Sequence, residues 1–198
     1  MDFLHGFLTK EQIAQLGFKF VGDNVKISIN ANFYGSNFIS IGSNSRIDDF
    51  CILSASAEGS IAIGHHVHLG AGVYLYGTAG IRIDDYAGLS AGVKIFSTSD
   101  DFSGDFMTNP TILKEFLNIQ KAQVIIEKHS VIGTGAVVFP GVVISEGAAV
   151  GALSIVKKSL DSWSIYAGQP VKKIKERSKN LLKLEAKFLK SETKRHAT

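Results

Sequence analysis

The chain is predicted to fold as an all-β solenoid of about six three-sided coils, and three observations predict it. First, an apolar residue, nearly always aliphatic, returns at every sixth position within successive triplets: Val21, Ile27, Phe33; Ile41, Ile47, Leu53; Ile63, Leu69, Leu75; Ile83, Leu89, Ile95; Ile126, Ile132, Val138; Ile144, Val150, Val156. Second, two residues before most of these beats stands another, usually smaller residue, such as Val25, Ala31, Ser45, Cys51, Ala87, Ser130, Ala136, Ala148 and Ser154. Strand side chains alternate faces, so residues two apart point the same way and both columns face inward. Third, the intervals between one triplet and the next are 8, 10, 8, 31 and 6 residues. Every insertion therefore falls at one corner of the repeat, as a three-sided coil with one corner open to insertion requires.

Taken in order, residues 1–18 are predicted to carry a short capping helix. Thr9 is its N-cap, Gln12 returns the bond, Glu11, Ile13 and Leu16 form its body, and it ends near Gly17. Such a helix covers the unpaired backbone groups of the first coil. Residues 19–157 form the coils, stacked at about 4.8 Å. Gly22, Gly42, Gly64, Gly70, Gly133 and Gly151 each follow a beat directly, where the chain must turn. The largest excess is the segment 96–123, which lacks the beat and holds Ser99, Asp100, Asp101, Asn109 and Pro110. Long excursions from a regular scaffold are commonly lids or binding loops, and this one is expected to complete a site. Residues 158–198 form a C-terminal extension in which Ile174, Leu181, Leu182, Phe188 and Leu189 mark an amphipathic helix. That helix is expected to pack on its own or a neighbouring coil stack.

Composition bounds the rest. A chain of 198 residues, 45% hydrophobic and 20% charged, is long enough for one well-buried domain. Its start lacks the pattern of a signal peptide and no stretch reaches the roughly 20 apolar residues of a membrane span, so a cytoplasmic protein is expected. The single cysteine, Cys51, excludes an internal disulfide and falls in the small inward column, as a core residue. From Lys157 onward, 12 Lys and Arg stand against 4 Asp and Glu, a balance of +8 that leaves −5 for the coils. A tail of that charge can meet phosphates, a lipid surface or nucleic acid. It lacks interleaved aromatics apart from Phe188, so nucleic acid is not expected.

The register, together with Ile132-Gly133-Thr134-Gly135-Ala136, Val150-Gly151-Ala152, Val156-Lys157-Lys158 and Tyr166-Ala167-Gly168-Gln169-Pro170, resembles the bacterial hexapeptide-repeat acyltransferases. The likeness is greatest to the galactoside, maltose and O-antigen sugar acetyltransferases and spans about Gly17 to Arg177. The resemblance implies a left-handed parallel β-helix, a homotrimer, and acetyl-CoA or another acyl-CoA lying in the groove between subunits. It also implies an acceptor pocket completed by the long loop of a neighbouring copy.

Acyl transfer from a thioester needs a nucleophile, donors for the tetrahedral oxyanion, and a fixed approach. Backbone amides at Gly133 and Gly151 are candidate oxyanion donors, although turn glycines often only turn the chain. With Thr134, Ala152, Lys157 and Lys158 they form the candidate cofactor groove, the two lysines meeting phosphates or merely blunting the open end. The resemblance implies a histidine base five residues after the last beat before the loop, a position held here by Asp100. A carboxylate is a weak base toward a sugar hydroxyl but can take the proton of an amine nucleophile, so Asp100 favours an amino-sugar acceptor. His68, pointing outward, is the second candidate base. His66, Tyr86 and His129 share one phase and should line one corner. Ser99, Asp101, Asn109 and Tyr86 are candidate acceptor-binding residues. His65, His66 and His68 are too close in sequence to converge on one ion, and no metal is expected.

The expected function is acetyl or other acyl transfer to a hydroxyl or amine of a sugar, such as a nucleotide-linked deoxy or amino sugar destined for surface polysaccharide or lipopolysaccharide. The alternative is a non-catalytic solenoid acting as a binding scaffold.

Overall fold

The computed structural model describes residues 6–195. Residues 1–5 and 196–198 of the two terminal segments lie outside it. The beats stack in three parallel sheets, and each column keeps the register its spacing predicts. On the first face Val21, Ile41, Ile63, Ile83, Ile126 and Ile144 pair in succession. On the second, Ile27, Ile47, Leu69, Leu89, Ile132 and Val150 do so. On the third, the column is Phe33, Leu53, Leu75, Ile95, Val138 and Val156. Almost all of these side chains are buried, and the smaller column from Ser45 to Ser154 fills the space between them. Cys51 belongs to that filling: burial pushes its thiol up to about 11, and its Sγ points at the Gly70 carbonyl, 3.2 Å away.

The corners are set by backbone handedness. Three residues past each first-face beat lie Asn24, Asn44, His66, Tyr86, His129 and Gly147, all at positive φ between 53° and 68° together with Trp163. At the next corner the same place is held by Phe50, Gly72, Gly92, Gly135 and Leu153. At these two corners the chain thus bends from one face to the next through one left-handed residue, a conformation costing about 1–2 kcal/mol for an L side chain unless its neighbours compensate.

The stack continues one rung beyond the six coils expected. Leu160 comes four residues after Val156 rather than six, yet it bridges in parallel to Ile144. Tyr166 then pairs with Val150, six positions further on. The strand Ser164–Gly168 doubles back as Val171–Glu176, antiparallel, and closes the second sheet at eight strands. At the other end, helix α1 (Lys10–Gln15) carries a reciprocal cap in which Thr9 N–H donates to Gln12 Oε1 (2.8 Å) and Gln12 N–H to Thr9 Oγ1 (3.3 Å). Helix α2 (Asn180–Arg195) returns along the first corner. Its Phe188 meets His66 and Tyr86 edge-on, and its Glu185 reaches Lys128 and His129. Among the described residues no helix is long and apolar enough to cross a membrane.

Candidate active site

The long excursion leaves the third face through a fixed root. Ser97 is fully buried; its Oγ donates to the Tyr76 carbonyl (2.9 Å) and accepts from the Ala79 N–H (2.8 Å). Thr98–Ser99 then pairs antiparallel with Gln120–Lys121, so the loop rises on a short two-stranded stem. Asp100 follows the stem directly. It is half-buried, and among the described residues its carboxylate has no hydrogen-bond or ion-pair partner. Around it lie Ser99, Thr98, Thr78, Glu58, Lys114, Lys121, Pro110 and Ile119, lining an open cleft of about 400 Å³. The cleft mixes two carboxylates, hydroxyls and two ammonium groups with apolar wall, which suits a polar small molecule carrying a charged part.

The neighbouring carboxylate is differently placed. Asp101 accepts from Ser103 N–H (2.7 Å), Ser103 Oγ–H and Asn118 Nδ2–H (2.7 Å). These bonds, those from Ser103 first, hold its carboxyl below the usual range, as hydrogen bonds to a charged form do. Asn109, at φ 77°, accepts from the N–H and hydroxyl of Thr111 and builds the turn around Pro110. Both side chains shape the loop from within, whereas Asp100 and Ser99 face the cleft.

Other expected site residues lie elsewhere on the prism. The Tyr86 ring is sandwiched between His66 (5.0 Å, planes 9° apart) and His129 (5.2 Å, 14° apart) beneath α2. His68 stands on the second face with its Nε2 2.8 Å from Asp48 Oδ2, while Arg46 Nε donates to Asp48 Oδ1. Burial pushes the Asp48 carboxyl up, but the bonds from His68 and Arg46 outweigh it and hold the group below its ordinary value. His65 Nδ1 accepts from Ser43 N–H, so the three clustered histidines point to three different partners. Among the described residues no group of His, Cys, Asp or Glu is arranged to hold a metal.

At the second corner, Gly133 N–H donates to Val150 O (2.8 Å) and Gly151 N–H to Tyr166 O (2.7 Å). Those two amides are spent on the ladder and cannot serve as oxyanion donors. A Cβ on Gly133 would fall 2.5 Å from Ala152 N, so glycine is required there by the closeness of the next coil. The following residues, Thr134 and Ala152, are exposed, and among the described residues their N–H groups have no recorded acceptor. They present a ladder of donors at one coil spacing, suited to the amide carbonyls of a pantetheine arm. Lys157 lies over the Phe139 ring (5.2 Å), and it and Lys158 are both exposed at the end of the same side. The donor set thus fits an extended, phosphate-bearing thioester.

One residue escaped the sequence reading. Ser90 follows the beat Leu89 at the place where Gly70 stands in the coil before and Gly133 in the coil after. A hydroxyl between the glycines of the adjacent coils was the available signal, a weak one because the same column also holds Ser28 and Asp48.

No family model matches the chain. It is similar, at 46% identity over 92% of its own length and 94% of the relative's, to a dTDP-4-amino-4,6-dideoxy-D-glucose acyltransferase of Escherichia coli. Its fold matches crystal structures of AntD, an N-acyltransferase from Bacillus cereus. The complex of that enzyme with dTDP and 3-hydroxybutyryl-CoA superposes with TM-score 0.90 at 43% identity, covering 96% of this chain and 100% of that one. Solved forms of AntD include variants of one aspartate and variants of a serine ten positions before it. A maltose O-acetyltransferase from Clostridium difficile, at 20% identity and TM-score 0.54, shares the fold.

Proposed function

This chain belongs to the hexapeptide-repeat sugar acyltransferases, whose fold is the left-handed β-helix, and from that membership we propose that its acceptor is the 4-amino group of a dTDP-linked 4-amino-4,6-dideoxy sugar. It is a coenzyme A-dependent enzyme that transfers an acyl group to a nucleotide-linked amino sugar. The single observation that carries the choice of an amine is Asp100, a carboxylate free of protein partners at the mouth of the loop cleft.

The amine nitrogen attacks the thioester carbonyl carbon, forming the C–N bond. Asp100 accepts the proton released from nitrogen. The C–S bond then breaks, and coenzyme A leaves as a thiolate that takes up a proton. Carboxylate chemistry suffices because a neutral amine is already a good nucleophile, whereas a hydroxyl would need a stronger base. The AntD variants support the same position. Ser90 and Asp100 are the one Ser–Asp pair in this chain with the serine ten positions ahead. We place Ser90 beside Asp100 in function, donating to the acyl or the amine as the tetrahedral centre forms. Thr134 and Ala152 amides would hold the pantetheine arm, and Lys157 and Lys158 the phosphates. Ser99 would contact the sugar.

The loop carries Phe102, which is 90% exposed, and exposed Phe106, Met107, Leu113 and Phe116. Five exposed large apolar side chains on one protrusion point to an interaction site. It supports a homotrimer in which each loop leans over the groove of the next copy. An acyl-CoA and a nucleotide sugar are both cytoplasmic metabolites, which supports a cytoplasmic enzyme acting before sugar is built into surface polysaccharide. The test is thiol release from acetyl-CoA and longer acyl-CoAs with dTDP-linked amino sugars, against the matching hydroxy sugars. Turnover with the amine and not with the hydroxyl is expected. Turnover confined to hydroxy sugars would overturn the acceptor proposed.

A further inference from the structure

The second coil carries an insertion of four residues beyond the six-residue step, between Leu53 and Ile63, and its Glu58 stands at the edge of the Asp100 cleft. It folds into a tight turn closed by mutual bonds of Ser56 and Gly59, N–H to O at 3.0 and 3.1 Å. That turn sits directly on the corner of the third coil: a Cβ on Gly59 would lie 2.3 Å from Gly80 N and 2.5 Å from Thr78 O. The same corner is tied to the root of the long loop, since Ala79 N–H donates to Ser97 Oγ and Val124 N–H to Gly80 O. From the top of the insertion Glu58 reaches across the small residues of the third coil, and its Oε2 lies 2.5 Å from Lys121 Nζ on the loop stem. Lys121 in turn pairs with Thr98, two residues before Asp100. Lys114, within the loop, also faces Glu58, and the two lysines hold the Glu58 carboxyl below its ordinary range, Lys121 contributing most.

We propose that Glu58 is a positioning residue for acyl transfer: through Lys121 it fixes the height of the loop stem over the third face and so the place of the Asp100 carboxylate at the acceptor. The proposal rests on the amino-sugar acyltransferase reading above. Both partners are about half exposed, and an exposed ion pair contributes little to global stability. Its effect is therefore on geometry at the site rather than on folding. Insertion, third-coil corner and loop root form one continuous stack, so the coil that carries Glu58 is two rungs from the strand it steadies.

The experiment compares the wild-type chain with E58Q, K121Q and the charge swap E58K/K121E. Amide hydrogen exchange is followed at 98–101 and 120–122, and KM is measured separately for the dTDP-linked amino sugar and for acyl-CoA. Each single variant is expected to speed exchange in the stem and raise the KM of the sugar by about threefold to fivefold, the most an exposed pair commands. The KM of acyl-CoA and the thermal midpoint should stay at wild-type values. The swap should return exchange and sugar KM to within about twofold of wild type, because it restores attraction with the charges reversed. Unchanged exchange in the single variants, a swap no better than either, or faster exchange with the sugar KM unmoved would each overturn the role. If the wild-type chain turns over no amino sugar, the acyltransferase reading and with it the positioning role fall, while the exchange arm alone still decides whether the brace exists.

Discussion

The imidazole of His66 and the phenol ring of Tyr86 lie face to face, centroids 5.0 Å apart and planes 9° from parallel. His129 continues the stack, Trp163 tilts over its end, and Asn44 meets His66 from below. All five side chains spring from left-handed corner residues, so ring stacking and a hydrogen bond offset a backbone conformation that costs free energy at each level.

Phe188 of helix α2 meets this column edge-on, 5.3 Å from His66. Phe188→Ala should loosen the helix without disturbing the coils. The ring is 39% exposed, so the area it buries makes the expected cost about 1–2 kcal/mol. Limited proteolysis will read it as faster cleavage after residue 178, with the coil core still resistant.

Glu185 binds the column a second way, with Oε1 2.6 Å from Lys128 Nζ and Oε2 3.0 Å from His129 Nε2. The hydrogen bond from Lys128 first, and that from His129 after it, hold the Glu185 carboxyl below its ordinary 4.5. A depressed folded-state value means that the contribution is fully present above the unfolded value and is lost as pH falls below 4.5 through the folded one. Urea midpoints between pH 6 and 3 should therefore fall more steeply for wild type than for E185Q, and the two lines should converge at the acid end.

Gly147 occupies the one place in the column where a side chain is forbidden by a neighbour. A Cβ there would fall 2.6 Å from the Trp163 ring, at φ 68°. Gly147→Ala is expected to cost about 2–4 kcal/mol, from left-handed strain and ring displacement together. With Trp163→Ala already present, only the backbone part of about 1–2 kcal/mol should remain. Equal costs in both backgrounds would show that the ring yields freely.

The coils were legible in the sequence because their signal is local: a six-residue step survives any change of neighbour. The seventh rung was not, since the interval from Val156 to Leu160 drops to four and breaks the count, although the step from Leu160 to Tyr166 resumes it. The corner of His66, Tyr86 and His129 was legible as a phase, but its covering by Phe188 and Glu185 was not. That contact joins residues more than fifty positions apart and has no period. At the site, Asp100 stood out as a departure from an expected histidine. The commitment of the Gly133 and Gly151 amides to the ladder could not be read from residue type, because a glycine that frees an N–H and one that merely admits a close coil look the same. Glu58 was invisible for a like reason: an insertion's length is readable, its direction is not.

Asp100 yields the sharpest test of mechanism. Asp100→Asn keeps the shape of the side chain and removes its ability to take a proton, so kcat should drop about 10²–10⁴-fold while acyl-CoA still binds. Ser90→Ala should lower kcat less, having removed one hydrogen bond near the reacting centre. His68→Gln should leave turnover within about twofold of wild type, because His68 stands outside the Asp100 cleft with its Nε2 engaged by Asp48. The pH profile separates base from bystander. If the carboxylate only relieves the amine of its proton, raising the pH supplies neutral amine from solution, and the Asp100→Asn deficit should narrow in alkali. A deficit constant across that range would assign Asp100 to binding the sugar, and a fully active Asp100→Asn would return the role of base to His68.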